Sequence, residues 1–202
     1  MELERAERYP LRRRDVVARL LADRGELLVV AGLGAPNWDC TAAGDHPLTF
    51  PLWGAMGGAL PMGLGLALAQ PRRRVLVVTG DGELLMGLTA LPTVAVKQPK
   101  NLCVVVLDNE RYGETGAQPT ATAASVDLAG MARAAGWPEA ATLADEAAFA
   151  RALPRIRGAD GPLLFNVKVR AENLPFVMPP KDGAHLKDRF RLALLGAKAV
   201  SA

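Results

Sequence analysis

The sequence predicts an α/β domain with a doubly wound, mainly parallel sheet and helices on both faces of that sheet. Four short apolar runs predict the strands, because they are continuous rather than alternating, as in strands buried on both faces. Segments with helical character lie between these runs, an order typical of doubly wound folds. The predicted strands are residues 27–31, 75–79, 102–108 and 163–169. The chain has 202 residues, half of them apolar, which is enough for one substantial core.

Apolar residues recur at helical spacing in the segments between the strands. The predicted helices are residues 11–23, 83–97, 126–135 and 146–156. Pro92 falls inside the second of them, where we expect it to kink the helix or to cost a backbone hydrogen bond.

Residues 56–70 form a further predicted helix, which is rich in glycine and alanine. So many small residues lower the helix propensity. Close packing of the backbone against another helix or against a ligand would offset that cost, and the sequence leaves both possibilities open.

The composition changes after residue 170. We expect residues 1–170 to form one domain and residues 171–202 to form a C-terminal tail. Pro175, Pro179 and Pro180 favour an extended chain, and residues 184–195 are predicted to close it with a short helix. Whether the tail docks on the domain or on a partner stays open.

Charge and composition argue against several classes of protein. The net charge is +3, and the basic runs at residues 12–14 and 72–74 lack interleaved aromatic residues. We therefore expect solvated helix ends and turns there, and no nucleic-acid surface. No apolar run is long enough to cross a bilayer, and the charged first residues lack a signal-peptide pattern. Cys40 and Cys103 show no metal-binding spacing, and Cys103 is expected in the core. A cytoplasmic protein without a membrane partner is the expectation.

Gly80, Asp81 and Gly82 follow the second predicted strand directly and lead into a helix. Ligands of open α/β sheets bind beyond the carboxyl ends of the strands. A helix that begins there offers free N–H groups to an anion, and flanking glycines let the backbone approach it closely. This turn by itself is a weak signal, since Gly-Asp-Gly is an ordinary turn sequence.

The next strand strengthens the signal, because it ends at Asp108 and Asn109. Asn109 lies 28 residues after Asp81, which is the length of a single crossover between neighbouring strands. Asp81 and Asn109 are then expected side by side at one edge of the sheet. A carboxylate oxygen, an amide oxygen and a nearby backbone carbonyl are ligands that magnesium prefers, together with phosphate oxygens and water.

This spacing resembles the signature of thiamine-diphosphate enzymes, specifically of their diphosphate-binding module, over roughly residues 32–169. The resemblance implies that Asp81, the Asn109 side chain and the carbonyl of Arg111 bind Mg²⁺. It also implies that the N–H groups of Gly82 and Glu83 meet the diphosphate of the cofactor. The other cofactor-binding residues expected nearby are Gly80, Tyr112 and Gly113.

A second match lies upstream. The resembling enzymes carry a bulky apolar residue about 25 residues before the aspartate, and Met56 stands 25 residues before Asp81. By resemblance, this residue wedges the cofactor into a bent shape. The Gly54 carbonyl then accepts a hydrogen bond from the aminopyrimidine, and the Met56 N–H donates one. The bend lets the pyrimidine nitrogen deprotonate the thiazolium carbon, which gives the ylide used in carbanion chemistry.

The sequence departs from the family pattern at three positions. Ala90 stands where the longer pattern has an acidic or amide residue, Asp108 replaces the first Asn of an Asn-Asn pair, and Pro92 lies in the expected helix. None of these changes removes an expected magnesium ligand, so they indicate a divergent branch.

The chain has no room for the second module that such enzymes use. In that family a glutamate of a separate pyrimidine-binding domain activates the cofactor, so no catalytic residue is assigned to this chain. The resemblance therefore implies a hetero-oligomer, a heterotetramer or larger, in which a separate alpha subunit supplies the glutamate. The isolated chain is expected to catalyse nothing.

The loop after Arg111 resembles that of sulfopyruvate and phosphonopyruvate decarboxylases. The resemblance implies a 2-oxo acid substrate with an anionic group at carbon 3, decarboxylated through the thiamine ylide to an aldehyde and CO₂. Thr115, Gln118 and Thr120 are the candidate substrate residues. Two alternatives remain: an acetolactate-synthase-like carboligase subunit, and a non-catalytic cofactor-binding or regulatory subunit. His46 and His185 are expected to be structural or surface residues.

Overall fold

The computed structural model describes residues 3–200 and contains a six-stranded sheet in the order β2-β1-β3-β4-β8-β7. All neighbouring strands of this sheet are parallel. Its strands are β1 (Leu28–Ala31), β2 (Thr49–Pro51), β3 (Val75–Gly80), β4 (Leu102–Asp108), β7 (Glu139–Leu143) and β8 (Leu163–Lys168). Two further short strands, β5 (Arg111–Tyr112) and β6 (Gln118–Pro119), form an antiparallel pair beside it.

Helices cover both faces of the sheet, as predicted. They are α1 (Arg13–Leu21), α2 (Ala35–Ala42), α3 (Ala59–Ala69), α4 (Asp81–Met86), α5 (Ala90–Lys97), α6 (Leu128–Ala134), α7 (Glu146–Gly158) and α8 (Gly183–Leu195). Short 3-10 helices occupy Leu3–Arg8, Gly113–Thr115, Ala121–Ala123 and Gly196–Val200. Within the described residues, no helix is both long enough and apolar enough to span a bilayer.

Successive strand residues face two separate cores, because side chains alternate across a sheet. Val77 and Val104 pack into the core under α3, α5 and α6. Val78 and Val105 pack into the opposite core, under α1 and α7. The continuous apolar runs of the sequence thus correspond to strands covered on both sides, and the prediction of a doubly wound parallel sheet is confirmed.

The four predicted strands are confirmed to within one residue at each end, whereas the two edge strands β2 and β7 were not predicted. β2 has only three residues, and in β7 buried residues alternate with residues that are partly or fully exposed. Neither forms the continuous apolar run that marks a strand buried on both faces.

The predicted helix over residues 83–97 is two helices, and the break lies at Gly87 rather than at Pro92. Pro92 is the third residue of α5, where the backbone N–H has no partner in the helix, so the expected kink at this proline was wrong. A Cβ on Gly87 would lie 2.3 Å from the carbonyl oxygen of Gly57. This backbone contact between α4 and the segment before α3 separates the two helices.

The glycine-rich helix α3 packs closely against its neighbours, which is one of the two possibilities left open by the sequence. A Cβ on Gly63 would lie 2.2 Å from Cγ2 of Val77 in β3. The absence of a side chain at Gly63 therefore lets α3 lie directly on the sheet.

The predicted tail helix is α8, and it docks on the domain. Phe190 is buried and packs edge-to-face on Phe50, with ring centroids 5.5 Å apart. The indole N–H of Trp53 donates to the carbonyl of Pro180 at 2.9 Å. The tail thus contributes to the same core as the sheet.

Each basic run has an exposed arginine, Arg12 or Arg72, as expected, but its other arginines are less exposed. The prediction of a solvated helix end is wrong for Arg13, whose guanidinium is buried and donates to Asp39 at 2.5 Å. In the second run, Arg74 donates to carbonyls at the end of α7, including that of Ala159 at 2.6 Å. These arginines pair with a buried carboxylate and with a helix C-terminus, partners that come from distant parts of the chain.

Candidate functional site

A cavity of about 360 Å³ opens at the carboxyl edge of the sheet. The strands β3 and β4 are direct neighbours with Gly80 opposite Leu107, so the expected adjacency of the two motifs is confirmed. Most of the residues predicted for the site line this cavity: Met56, Gly80, Asp81, Gly82, Glu83, Asn109, Arg111, Tyr112, Gly113, Thr115 and Gln118. Gly54 and Thr120 lie outside this lining.

Asp81 begins α4 and is 1% exposed. Its Oδ2 atom accepts hydrogen bonds from the hydroxyls of Thr120, at 2.5 Å, and Thr122, at 3.1 Å. Burial, and then the charge of Asp108, raise the pKa of Asp81 against the effect of these hydroxyls. Both hydroxyls thus meet the same carboxylate oxygen and fix the orientation of the Asp81 side chain at the cavity.

Asp108 is a second buried carboxylate behind the cavity. Lys168 lies 2.7 Å from its Oδ2 atom, and Asn166 donates to the same oxygen at 2.9 Å. The hydroxyl of Thr122 lies 2.8 Å from Oδ1 of Asp108. This hydroxyl has one proton, so it donates a hydrogen bond either to Asp108 or to Asp81 at a given moment.

Asn109 is oriented by a local hydrogen bond. Its Oδ1 atom accepts from the N–H of Arg111 at 3.0 Å, which is an Asx turn. The side-chain oxygen therefore lies at the start of the β5–β6 pair, and Asn109 and Arg111 line the cavity together with Asp81.

Glu110 lies between Asn109 and Arg111 and is fully buried, with a left-handed φ of 60°. Its carboxylate accepts hydrogen bonds from Arg5, Tyr9 and Lys168, each with a contact of 2.8 Å. Burial alone would raise the pKa of Glu110, but hydrogen bonds from Arg5, Lys168 and Tyr9 outweigh it and lower the pKa to about 2. No local pattern in the sequence singles out Glu110.

The glycines of the turn differ in their surroundings. A Cβ on Gly80 would meet no atom within 4 Å, so the backbone there is open. A Cβ on Gly82 would lie 2.5 Å from the ring of Tyr112, which packs directly on this glycine. Glu83 turns its side chain away: it accepts from the N–H of Ala59 at 3.0 Å and from the hydroxyl of Thr79.

Met56 reaches the cavity from the segment before α3 and is 40% exposed. Met86, at the end of α4, lines the same cavity and is 57% exposed. Two flexible apolar side chains thus border the opening, and the sequence singled out one of them.

The loop of the candidate substrate residues has an exposed part and a buried part. Thr115 and Gln118 are exposed and hydrogen-bond to each other at 3.1 Å. Thr120 is 3% exposed, and its hydroxyl donates a hydrogen bond to Asp81. Glu114 accepts a hydrogen bond from the indole N–H of Trp38 at 3.1 Å.

The wall opposite the turn was not predicted. It consists of Arg13, of Leu33 and Gly34 before α2, and of Ala35 and Pro36 in the first turn of α2. A glycine at position 34 and a proline at position 36, typical of a helix start, were the sequence signal for this segment. No local sequence pattern indicated that Arg13 lines the cavity, because its partner Asp39 lies in another helix.

The histidines stand outside the cavity lining. His46 accepts a hydrogen bond from the N–H of Leu48 at 3.1 Å, and burial is the main cause that lowers its pKa. His185 lies in the first turn of α8, where its N–H donates to Asp182.

These donors suit a hard cation. Among the described residues, no group of three His, Cys, Asp or Glu side chains could hold a metal ion. The cavity instead offers the Asp81 carboxylate, the Asn109 amide oxygen and backbone carbonyls, with the Asp108 carboxylate behind them, and such oxygen atoms are the donors that a hard divalent cation prefers. The fold and the site define a doubly wound α/β domain with a cavity at the carboxyl edge of its sheet, the place where ligands of such folds bind.

A family model described as "Thiamine pyrophosphate enzyme, C-terminal TPP binding domain" matches residues 36–167. The chain belongs to this family, so the resemblance inferred from the motifs is confirmed. Thiamine diphosphate is the cofactor that this membership supports.

Relatives with curated names include decarboxylases. The chain is 36% identical over 187 residues to sulfopyruvate decarboxylase subunit beta of Methanothermobacter thermautotrophicus, with 93% of this chain and 97% of that protein covered. It is 38% identical over 177 residues to phosphonopyruvate decarboxylase of Streptomyces viridochromogenes, with 86% of this chain but 44% of that protein covered.

The fold is also found in solved structures. Benzoylformate decarboxylase of Polynucleobacter necessarius superimposes with a TM-score of 0.66 at 20% identity, over 83% of this chain and 34% of that one. At this identity the likeness shows the fold.

Proposed function

We propose that this chain is the thiamine-diphosphate- and Mg²⁺-binding subunit of a two-subunit 2-oxo acid decarboxylase. One observation carries the proposal: Met56, Asp81 and Asn109, spaced as in the resembling enzymes, line a single cavity at the carboxyl edge of the sheet. The chain also spans 97% of a decarboxylase beta subunit.

Three groups are proposed to hold the metal: the Asp81 carboxylate, the Asn109 amide oxygen and the carbonyl of Arg111. The burial of Asp81 supports this, since a buried carboxylate beside Asp108 leaves negative charge that a divalent cation would neutralise. Thr120 and Thr122 hold Oδ2 of Asp81, which fixes the orientation of this carboxylate at the cavity.

When bound, thiamine diphosphate supplies a carbanion and an electron sink at its thiazolium ring. The chain's own residues are proposed to bind and orient it. The backbone at Gly80, Gly82 and Glu83, with Tyr112 and Gly113, faces the diphosphate. Gly54 and Met56 hold the middle of the molecule. The exposed position of Met56 at the cavity supports a role as the wedge.

The activating glutamate is proposed to come from a separate alpha subunit, in a heterotetramer or larger complex. The lengths of the relatives support this. The chain covers nearly all of a relative named as a subunit but 44% of phosphonopyruvate decarboxylase, which carries further sequence in one chain.

The proposed substrate is a 2-oxo acid with an anionic group at carbon 3, which loses CO₂ to give an aldehyde. Thr115 and Gln118 are exposed at the cavity and are the candidate residues for the anionic group. Thr120 is reassigned as a residue that positions Asp81, because its hydroxyl is buried against that carboxylate.

Two measurements test the function. Isothermal titration of the isolated chain with thiamine diphosphate should show weak, Mg²⁺-dependent binding, which Asp81→Ala should abolish. Asp127→Ala is the matched control, because that carboxylate is half exposed and pairs with Arg133 on the surface. Binding that is absent from the wild type, or that survives in Asp81→Ala, would remove the basis of the proposal.

The second measurement uses the complex co-purified with its partner. A panel of 2-oxo acids should yield aldehyde and CO₂ with the complex and none with the isolated chain. Acyloin products would indicate a carboligase instead, and cofactor binding without turnover would indicate a regulatory subunit. Turnover by the isolated chain would refute the two-subunit arrangement.

A further inference from the structure

We propose that the N-terminal segment positions the metal-binding loop, with Arg5 and Tyr9 as positioning residues that act through Glu110. The inference rests on the proposed function, since the loop in question contains Asn109 and Arg111. Neither Arg5 nor Tyr9 lines the cavity, so their effect on a bound metal would be indirect.

The loop contains a conformation that needs support. Glu110 has a φ of 60°, in the left-handed region that residues other than glycine rarely adopt. It is also a carboxylate with no exposed surface. Both features are unfavourable unless partners fix them, and Glu110 lies between two of the three proposed metal ligands, Asn109 and Arg111.

The partners of Glu110 come from outside the loop. Arg5 donates to both carboxylate oxygens through Nε, at 3.0 and 3.1 Å, and through Nη2 at 2.8 Å. The hydroxyl of Tyr9 donates at 2.8 Å, and Lys168 in β8 donates at 2.8 Å. Charge-assisted, forked contacts of this kind fix orientation as well as position.

Arg5 also contacts the second loop of the site. Its Nη2 atom donates to the carbonyl of Thr122 at 2.9 Å. The hydroxyl of Thr122 lies within hydrogen-bonding distance of both Asp81 and Asp108. One guanidinium therefore joins the loop that carries Asn109 to the loop that holds Asp81.

The N-terminal segment is itself fixed to the sheet. The N–H of Ala171 donates to the carbonyl of Ala6 at 2.8 Å, and Arg170 donates through Nε to the carbonyl of Tyr9 at 3.0 Å. Residues just beyond β8 thus hold both ends of the segment from which Arg5 and Tyr9 reach Glu110. A loop that is ordered before the metal binds loses little conformational entropy on binding. The metal therefore binds more tightly.

A purely structural ion pair makes a different prediction. The Arg5 side chain is 37% exposed, but its partner Glu110 is fully buried, so loss of Arg5 leaves a buried carboxylate less well paired. A purely structural role would then lower the unfolding temperature and leave metal affinity unchanged. Positioning predicts a loss of metal affinity that exceeds any loss of stability.

The test compares Arg5→Ala, Arg5→Lys and Tyr9→Phe with Arg8→Ala. Arg8 is the matched control, because it lies in the same segment, is 66% exposed and contacts only Glu4, at 3.9 Å, in the described ion pairs. The readouts are the Mg²⁺ concentration for half-maximal thiamine diphosphate binding, the unfolding temperature, and the amide exchange rates of residues 109–112 without ligand.

We expect Arg5→Ala to raise the half-saturating Mg²⁺ concentration about 5- to 10-fold and to speed amide exchange in the loop. Arg5→Lys should restore part of the affinity, since lysine keeps the charge but not the fork. Tyr9→Phe should raise the concentration about twofold, from one lost hydrogen bond, and Arg8→Ala should match the wild type.

Unchanged Mg²⁺ dependence and loop exchange in Arg5→Ala and Tyr9→Phe would overturn the inference while the proposed function stands. The same would follow if Arg8→Ala changed both readouts equally. Tyr9→Phe removes only the hydroxyl oxygen, so this variant is expected to fold. It decides the test if Arg5→Ala does not fold. If the wild type shows no Mg²⁺-dependent binding of thiamine diphosphate, the proposed function is refuted, and the inference with it.

Discussion

Gly57 and Gly87 meet backbone to backbone, so that neither position has space for a side chain. A Cβ on Gly57 would lie 2.8 Å from the carbonyl carbon of Met86, and a Cβ on Gly87 would lie 2.3 Å from the carbonyl oxygen of Gly57. This contact ends α4 after six residues and brings Met56 and Met86 to the same cavity.

Gly87→Ala should therefore destabilise the chain by about 1–3 kcal/mol, because a backbone atom and not a flexible side chain blocks the new methyl group. Gly65→Ala is the control: a Cβ there meets nothing within 4 Å, and Gly65 lies in α3. That change should be neutral or should stabilise by up to about 1 kcal/mol. Urea denaturation of both variants checks this, and equal stabilities would contradict the contact.

Thr120→Val should weaken Mg²⁺-dependent cofactor binding about fivefold, because Asp81 loses its 2.5 Å hydrogen bond while the side-chain volume stays similar. Thr115→Val, in the exposed part of the same loop, should leave the Mg²⁺ dependence unchanged. Titration calorimetry at several Mg²⁺ concentrations distinguishes them. An effect of Thr115→Val and none of Thr120→Val would return Thr120 to the substrate residues.

Acid should remove the stability that Glu110 contributes. The pKa of Glu110 is lowered in the folded chain, from 4.5 to about 2, so its contribution is complete above pH 4.5 and is lost as the pH falls towards 2. Glu110→Gln should cost about 2 kcal/mol at neutral pH, less than the whole shift implies because Arg5 is partly exposed.

The difference in unfolding free energy between wild type and Glu110→Gln should therefore shrink between pH 4.5 and 2. Chemical denaturation at a series of pH values measures it. Glu4→Gln is the control on the exposed surface and should stay within about 0.5 kcal/mol of the wild type. A difference that does not vary with pH would show that Glu110 acts through packing alone.

The tail helix should contribute to the stability of the domain. Phe190→Ala should cost about 3 kcal/mol, because the ring is buried against Phe50. Leu192→Ala, two residues on and 55% exposed, should change stability by less than about 0.5 kcal/mol. Thermal unfolding of the isolated chain tests this. An unchanged unfolding temperature of Phe190→Ala would mean that the tail adds nothing to the stability of the core.

The sequence predicted what local patterns encode. Asp81 and Asn109 follow consecutive strands, and one helical crossover between them makes those strands neighbours, so their common edge was predictable. The strand β4 was predicted with its observed bounds because each of its residues is buried.

Contacts between distant segments were not predictable in this way. Arg5 meets Glu110 across 105 residues, and Arg13 meets Asp39 from another helix. The local sequence of a basic run is the same whether its arginines are solvated or paired with a buried carboxylate. The site therefore emerged from the sequence as a set of ligands, without the residues that hold them in place.

The aromatic contacts beside the cavity have a practical consequence. Trp38 donates to Glu114 in the cavity wall, and its ring lies 5.4 Å from that of Trp53. Indole fluorescence responds to nearby charge and to water. Two of the three tryptophans thus give the unlabelled chain an optical signal for the cavity, and a change in emission on adding a ligand would follow its entry in real time.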